Sequence, residues 1–331
     1  MMREYRWAVI GCGVIANEMA DAMNRLGRSF YAVANRTRER AEAFGKKYHI
    51  SKVYPDISSV FSDDNVDIVY IATPHNTHFP FIMEALNSGK HVFCEKAITL
   101  NAEQLNQAAA LAEERHLILA EATTLYHMPL FKKMKELKDQ NLLGPLRFVQ
   151  MNFGSYKEYD MNNRFFSRDL AGGALLDIGI YALSFTRWFL SEAPDQIVSQ
   201  VKKAPTGVDE QAGILLTNPV GEMASLSLTL HAKQPKRGMA AFDKGYIEIY
   251  NYPRGDQGVI TYTEDGHQET IRLGSCDDAL IYEIQDMEEA VSGGRNQMYL
   301  AYTKDVMDIM TKLRKDWQIT YPEEEARSQE L

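Results

Sequence analysis

The sequence predicts an α/β chain of two domains: a parallel-sheet domain first, then an α+β domain of long, mostly antiparallel strands. Three observations carry this. Over residues 1–122 short apolar runs alternate with stretches of helical periodicity, the pattern of parallel strands joined by right-handed crossovers. After Ala122 the rhythm changes to long strands with few helices between them. The chain of 331 residues also exceeds what one ordinary core holds.

Arg6 to Gly11, RWAVIG, reads as the first strand, and Ile15 to Leu26 as a helix with Met19, Met23 and Leu26 on one face. SFYAVAN (29–35) is a second strand and Arg38 to Tyr48 a second helix. VDIVYIATP (66–74) is almost continuously apolar, as expected of a strand covered on both faces. FPFIMEALNSG (79–89) forms a helix closed by Gly89, and HVFCE (91–95) is the next strand. Asn101 opens a helix, and Gln104 at its third position completes a capping box. LILAEA (117–122) closes the first domain, so the division falls at 1–122 and 123–331. In the second domain a helix is expected from Met128 to Gln140, a strand in LRFVQMNFGSY (146–156) and an apolar helix from Ala174 to Leu190. Strands follow at Gln196–Lys203, Gln211–Thr217, Glu222–His231, Tyr246–Tyr250 and Val259–Tyr262. Two helices, Ala279–Ser292 and Tyr299–Lys315, come last. The acidic tail PEEEARSQEL is expected to fray.

The bulk numbers exclude several classes. Hydrophobic content of 45% and charged content of 24% are those of a globular protein. A formal net charge of -9, with no long basic stripe, argues against a nucleic-acid surface. No apolar run approaches the ~18 residues a membrane span needs, and no signal-peptide stretch precedes the first glycine turn. The three cysteines, Cys12, Cys94 and Cys276, suggest no disulfide framework, which points to a reducing cytoplasm. No Cys/His spacing resembles a zinc ligand set.

The chemistry begins at AVIGCGVIA, where Gly11, Gly13 and Ala16 stand in a G-x-G-x-x-A pattern, with Val14 and Ile15 opening the helix. Gly11 permits the tight turn, Gly13 allows backbone to approach a pyrophosphate, and Ala16 lets helix and sheet pack closely. The flanking strand and helix make this a dinucleotide site rather than a chance glycine turn. At the end of the second strand an NAD enzyme usually places an acid on the ribose 2′-hydroxyl. Here neutral Asn35 is followed by Arg36, which suits a 2′-phosphate, so NADP(H) is expected over NAD(H). A solvated helix start is the plainer alternative for Arg36, Arg38 and Arg40.

GCGVIA, ATPHNTH (72–78), CEKAITL (94–100) and NRFFSRDLAGGALLDIGIY (163–181) together resemble the glucose–fructose oxidoreductase/inositol dehydrogenase (Gfo/Idh/MocA) family over nearly the whole chain. The resemblance implies a Rossmann domain followed by an open-faced, mostly antiparallel sheet. It also implies hydride transfer between a nicotinamide cofactor and a hydroxyl or carbonyl of a sugar, cyclitol or cyclic diol. Lys96 then corresponds to the family's Glu-Lys-Pro lysine, although Ala97 stands where the proline would be. Tyr181 replaces a commoner histidine, as in the glucose–fructose oxidoreductase and dimeric dihydrodiol dehydrogenase branches. A non-catalytic dinucleotide sensor and a redox-assisted, NAD-dependent glycosidase are the rival readings.

The candidate catalytic residues are Lys96, Tyr181 and Asp177. Lys96 lies at the carboxyl end of a parallel strand, where such sheets place ligands. Asp177 and Tyr181, four apart, share one helix face; a core tyrosine and a capping aspartate are the structural alternative. Tyrosine and lysine both titrate near ~10 when free, so an adjacent Lys96 cation or partial burial must bring a proton carrier within range. Around them, Thr73, Pro74, Asn76, His78 and Glu95 are expected at the cofactor, and Arg164 near cofactor or substrate. Tyr126 and His127 open the second domain. In EMASLSLTLH (222–231), Leu226, Leu228 and Leu230 share one face, and Ser225, Ser227 and Thr229 the other. That uncharged face is expected to build a homodimer or homotetramer.

Overall fold

The computed structural model describes residues 4–328. Contacts divide it into two compact units, one running to Ala122 and taking back Asp277–Leu300, the other holding Thr123–Cys276 and the chain from Ala301 onward.

In the first unit β1 (Trp7–Ile10), β2 (Ala32–Ala34), β3 (Lys52–Val53), β4 (Ile68–Ile71), β5 (His91–Glu95) and β6 (Leu119–Ala122) alternate with α1 (Val14–Arg25), α2 (Arg38–Tyr48), α3 (Ser58–Phe61), α4 (His78–Asn87) and α5 (Ala102–Glu114). The strands form one parallel sheet in the order β3-β2-β1-β4-β5-β6. Strand order therefore reverses between β1 and β4, the point at which such sheets bind ligands. β1, β4 and β6 are buried along their whole length, which is why their sequences are nearly all apolar. Asn101 caps α5 through its side chain, accepting from Gln104 N at 2.9 Å; Gln104 Oε1 in turn accepts from Leu100 N at 3.1 Å. The box therefore closes one residue upstream of its usual backbone partner.

The second unit contains α6 (Pro129–Asp139), β7 (Leu146–Gly154), α7 (Ile180–Phe189), β8 (Gln196–Lys203), β9 (Asp209–Thr217), β10 (Met223–Thr229), β11 (Arg237–Phe242), β12 (Gly245–Tyr250), β13 (Gln257–Tyr262) and β14 (Gln268–Arg272). Its eight-stranded sheet runs β14-β13-β12-β11-β7-β10-β9-β8. All pairs are antiparallel except β7 with β10. Leu226, Leu228 and Leu230 are buried, while Ser225 and Ser227 lie half-buried on the opposite face. Thr229 is buried instead of exposed, its hydroxyl accepting from Gln211 Nε2 at 3.0 Å.

Four features depart from the sequence reading. β11 and β14 are strands that the pattern does not announce. The helix expected from Ala174 opens with a π turn over Leu175–Gly179 before α7 begins. α8 (Ala279–Gly293) belongs with the first unit rather than the second: Leu280, Ile284 and Met287 join the core around Trp7, Tyr70 and Phe93. After α9 (Leu300–Asp316) the tail is helical as α10 (Pro322–Ser328), and the final three residues lie outside the described region. Arg314 holds Glu324 with two 2.8 Å hydrogen bonds, and Arg168 reaches Thr320 O at 2.9 Å and Glu325.

Candidate active site

The first unit's candidate residues begin where β1 stops. Gly11 has φ +101°, and a Cβ there would lie 2.4 Å from Ala72 O, so only glycine lets the turn pass the end of β4. A Cβ on Gly13 would meet nothing within 4 Å, which leaves open space beside the first turn of α1. That turn carries no acidic residue, Val14 is 80% exposed, and Ala16 is fully buried against the sheet. Unpaired N–H groups, a positive dipole end and room for a phosphate therefore coincide, and a dinucleotide fits.

Beyond β2, Asn35 Nδ2 closes the turn on Thr37 O at 2.9 Å. Arg38 is engaged by Glu42 at 2.8 Å, whereas Arg36 is exposed and makes no ion pair among the described residues. Burial pushes the Cys12 thiol up to about 11, and the positive field of Arg40 partly offsets this.

The loop after β4 presents half-buried Thr73 and Asn76 and exposed Pro74 at the same edge. His78 does not stand with them. It is fully buried, with Nδ1 2.9 Å from Ala97 O and Nε2 2.9 Å from Thr73 O. Burial holds it below the usual histidine range against these carbonyls, and the Lys96 cation lowers it further. The neutral ring donates to one of the two carbonyls and packs between the two loops.

Glu95 likewise turns inward, accepting from Tyr70 Oη at 2.5 Å inside the core. Burial, then the Glu95 charge, drives the Tyr70 phenol well above its ordinary value. Lys96, the next residue, is half-buried at the carboxyl end of β5, as alternation along a strand requires. The Lys96–Ala97 peptide is cis.

The second unit's candidate residues lie on the π turn and α7. Asp177 is 8% exposed and Tyr181 half-buried, with its ring 5.9 Å from Phe153 of β7. The Arg164 guanidinium is 3.5 Å from Asp177 Oδ1 and 4.5 Å from the Phe165 ring. Tyr126 and His127 are buried; Tyr126 stacks on Trp188 at 5.3 Å, which makes it part of the core.

One residue here escapes sequence reasoning. Asp209, at the start of β9, is fully buried and accepts from Leu175 N at 2.6 Å, capping the π turn that carries Asp177. Burial pushes its carboxyl up to about 7 although the Leu175 N–H and the Arg314 cation oppose the shift. A Cβ on Gly173 would sit 2.3 Å from Asp209 Oδ1, so that glycine makes room for the cap.

Among the described residues no helix is long and apolar enough to cross a membrane, and no cluster of His, Cys, Asp or Glu is placed to hold a metal.

Comparison with known proteins agrees with this geometry. Residues 5–123 match the oxidoreductase family model with an NAD-binding Rossmann fold, and residues 131–250 match the GFO/IDH/MocA C-terminal domain. A mouse (Mus musculus) trans-1,2-dihydrobenzene-1,2-diol dehydrogenase is 29% identical over 335 residues, covering 96% of this chain and 98% of that protein. The 3-ketoreductase KijD10 from Actinomadura kijaniata, solved with NADP and TDP-benzene, superposes with a TM-score of 0.83 at 26% identity over 95% of this chain and 98% of that one. The aldose-aldose oxidoreductase from Caulobacter crescentus shares the fold, with a TM-score of 0.84 at 22% identity over 96% and 98% of the two chains. Both family models fall on this chain in order and together span well over half of it: the protein belongs to the Gfo/Idh/MocA family of NAD(P)-binding oxidoreductases.

Proposed function

We propose that the protein interconverts a hydroxyl and a carbonyl on a sugar, cyclitol or cyclic diol, with Tyr181 carrying the proton and Lys96 as its electrostatic partner and substrate anchor. The observation that carries this is Lys96, a half-buried cation at the carboxyl end of β5, in the unit whose glycine turn is open to a dinucleotide. The relatives' activities on a dihydrodiol and a ketone support the same class of substrate.

Gly11, Gly13 and the first turn of α1 would hold the pyrophosphate, and Thr73, Pro74 and Asn76 would border the rest of the cofactor. A bound nicotinamide supplies or accepts the hydride. The chain's own residues must then move one proton, because an alcohol losing hydride also loses the proton on its oxygen. A phenol carries that proton as general acid or base. A nearby ammonium lowers the phenol's pKa and stabilises developing negative charge on oxygen. Asp177, tied to Arg164, orients the substrate. His78 acts through the loops that it braces.

NADP(H) is the preferred cofactor in this reading, because Arg36 is exposed and no acid follows β2. A charge-assisted contact to the 2′-phosphate is worth about 1.5–3 kcal/mol, roughly tenfold or more in affinity. Assembly through the open face of the second sheet is the companion proposal. Across that face Val198, Leu215, Ser225, Gln150 and Met239 stand in one register, with Val198 67% and Leu215 48% exposed.

The test is a sugar and polyol panel with both cofactors, read by absorbance, together with fluorescence titration of NADPH and NADH. Lys96→Met and Tyr181→Phe should each lose about 10²–10⁴ in turnover while still binding NADPH. Near wild-type turnover in both variants overturns the assignment. NADH binding as tightly as NADPH overturns the cofactor preference, which Arg36→Ala should otherwise erase.

A further inference from the structure

The stretch that carries Asp177 and Tyr181 is entered through a turn that cannot fix itself. Ala171 has φ +52° and Gly173 φ +124°, and a Cβ on Gly172 would lie 2.8 Å from Phe165 O. Two successive glycines bring no side chain to hold their own backbone, and ordering them costs more conformational entropy than ordering other residues. Their position must be set by partners. We propose that the segment after α9, residues 320–325, is the clasp that sets it, with Tyr321 the positioning residue for the chemistry at Asp177 and Tyr181. The functional half of this rests on the reading of those two residues as groups of the reaction site.

The anchorage runs through a chain of contacts within the second unit. Tyr321 is fully buried, and its hydroxyl donates to Gly172 O at 2.7 Å. The next carbonyl, Gly173 O, accepts from Asp177 N at 3.2 Å. Adjacent peptide groups therefore link the tyrosine to the backbone of Asp177. From the same turn Arg168 donates to Thr320 O at 2.9 Å and reaches Glu325. The segment is fixed to α9 in its turn. Arg314, 3% exposed, grips the Glu324 carboxylate with two 2.8 Å bonds, and its guanidinium carbon lies 4.7 Å from the centre of the Tyr321 ring. Glu324 also accepts from Tyr321 N at 3.0 Å. A bidentate arginine–carboxylate pair is strong and directional, so Tyr321 is held at both its backbone and its ring.

Closure of the core by a terminal helix is the plainer role for this segment. The hydroxyl of Tyr321 argues for more. Packing alone asks only for the ring, whereas here a buried polar atom directs its hydrogen bond onto the glycine pair and not onto its own helix. Asp209 holds Leu175 N from β9, and Tyr321 holds Gly172 O from the clasp, so the chain enters the π turn between two fixed points on either side of Gly173 and Ala174. Displacing a reacting group by about 1 Å can cost on the order of 10² in rate, which makes this anchorage matter to the chemistry.

Tyr321→Phe removes the hydroxyl and keeps the ring. In the full chain, amide exchange read by mass spectrometry should quicken about tenfold over residues 172–181, while β12 and β13 keep their protection. Arg168→Met, which releases the same segment from its more open side, should quicken the same peptides. kcat/KM of Tyr321→Phe on a substrate from the panel should fall about tenfold, with NADPH affinity unchanged. In an Asp177→Asn background the same substitution should cost less than about twofold, because residues that act in series are not additive. No quickening over 172–181, quickening spread evenly over the second unit, or an unchanged kcat/KM each overturns the proposal. So does a loss of equal size in both backgrounds where Asp177→Asn is itself impaired. If Asp177→Asn keeps wild-type turnover, the reading of Asp177 falls, and local exchange with the kcat/KM of Tyr321→Phe still decides the clasp. If Asp177→Asn loses turnover but Tyr321→Phe changes neither exchange nor kcat/KM, the clasp falls and that reading stands.

Discussion

Replacing Asp209 with asparagine should make the second unit's stability less sensitive to pH, and the structure sets the size of the effect. The carboxyl is fully buried, accepts from Leu175 N at 2.6 Å and has Arg314 nearby, yet burial outweighs both and raises it from 3.8 to about 7. Tyr321 faces the same pocket, its hydroxyl on Gly172 O at 2.7 Å; burial and then the Asp209 and Glu324 charges raise its phenol, against the Arg314 cation. Arg314 itself is shared with Glu324. Because the folded value lies above the unfolded one, the folded chain keeps a proton that the unfolded chain has already released. Stability is therefore fullest below the unfolded value and falls as pH climbs toward about 7, then levels. At ~1.36 kcal/mol per pH unit the full excursion is roughly 4 kcal/mol. The amide oxygen of the substituted side chain would still accept from Leu175 N, but the group would not titrate. The difference in unfolding free energy, Asp209→Asn minus wild type, should rise by most of that amount between about pH 4 and pH 7. Urea unfolding followed by tryptophan fluorescence suits the purpose, since Trp188 and Trp317 both lie in the second unit. A difference that stays flat with pH, or falls, would refute the linkage and with it the view that Asp209 is a strained cap.

Gly11→Ala should abolish NADPH binding and lower stability by more than ~1–2 kcal/mol, because φ +101° disfavours a Cβ and Ala72 O occupies its place at 2.4 Å; thermal melts and fluorescence titration read the two effects. Light scattering at micromolar concentration should find a homo-oligomer. Val198→Lys together with Leu215→Lys, which charges the open sheet face, should shift it toward monomer, and a monomeric wild type refutes assembly through that face.

The first unit is legible in its sequence because each parallel strand is a short apolar run and several turns carry their own signal. Gly11 and Asn101 announce their roles through neighbours close in the chain: the strand and helix on either side of the glycine, and Gln104 three residues after the cap. The second unit is less so. Gly238 inside β11 reads as a break in the chain, but a Cβ there would lie 2.4 Å from Met151 Sδ and 2.5 Å from the Phe185 ring, so the strand needs the glycine to pack on α7. β14 has no apolar side to reveal it; as the edge of its sheet it stays largely exposed. The π turn gives almost the same apolar spacing as an α turn over its five residues. Asp209 is invisible for a different reason: its partner Leu175 is 34 residues away, and no local spacing links a strand-start aspartate to a helix cap. His78 and Glu95 stand close in sequence to surface loops, yet tertiary burial directs their polar atoms inward.

The return of α8 to the first unit has a consequence for the order in which the protein is made. Trp7 Nε1 donates to Glu288 Oε1 at 2.8 Å across 281 residues, and Arg28 joins the same carboxylate. A ribosome adding about 5–20 residues per second takes on the order of tens of seconds to reach that helix. Until then the nascent sheet lacks Leu280, Ile284 and Met287 over its core face. The glycine turn leaves the tunnel among the first residues made, while the unit that must hold it rigid is completed only after nearly the whole second unit has emerged. A chaperone therefore has an interval in which to shield that core face. A chain cut after Ala122 would lose that covering helix altogether and with it the rigidity of the dinucleotide site.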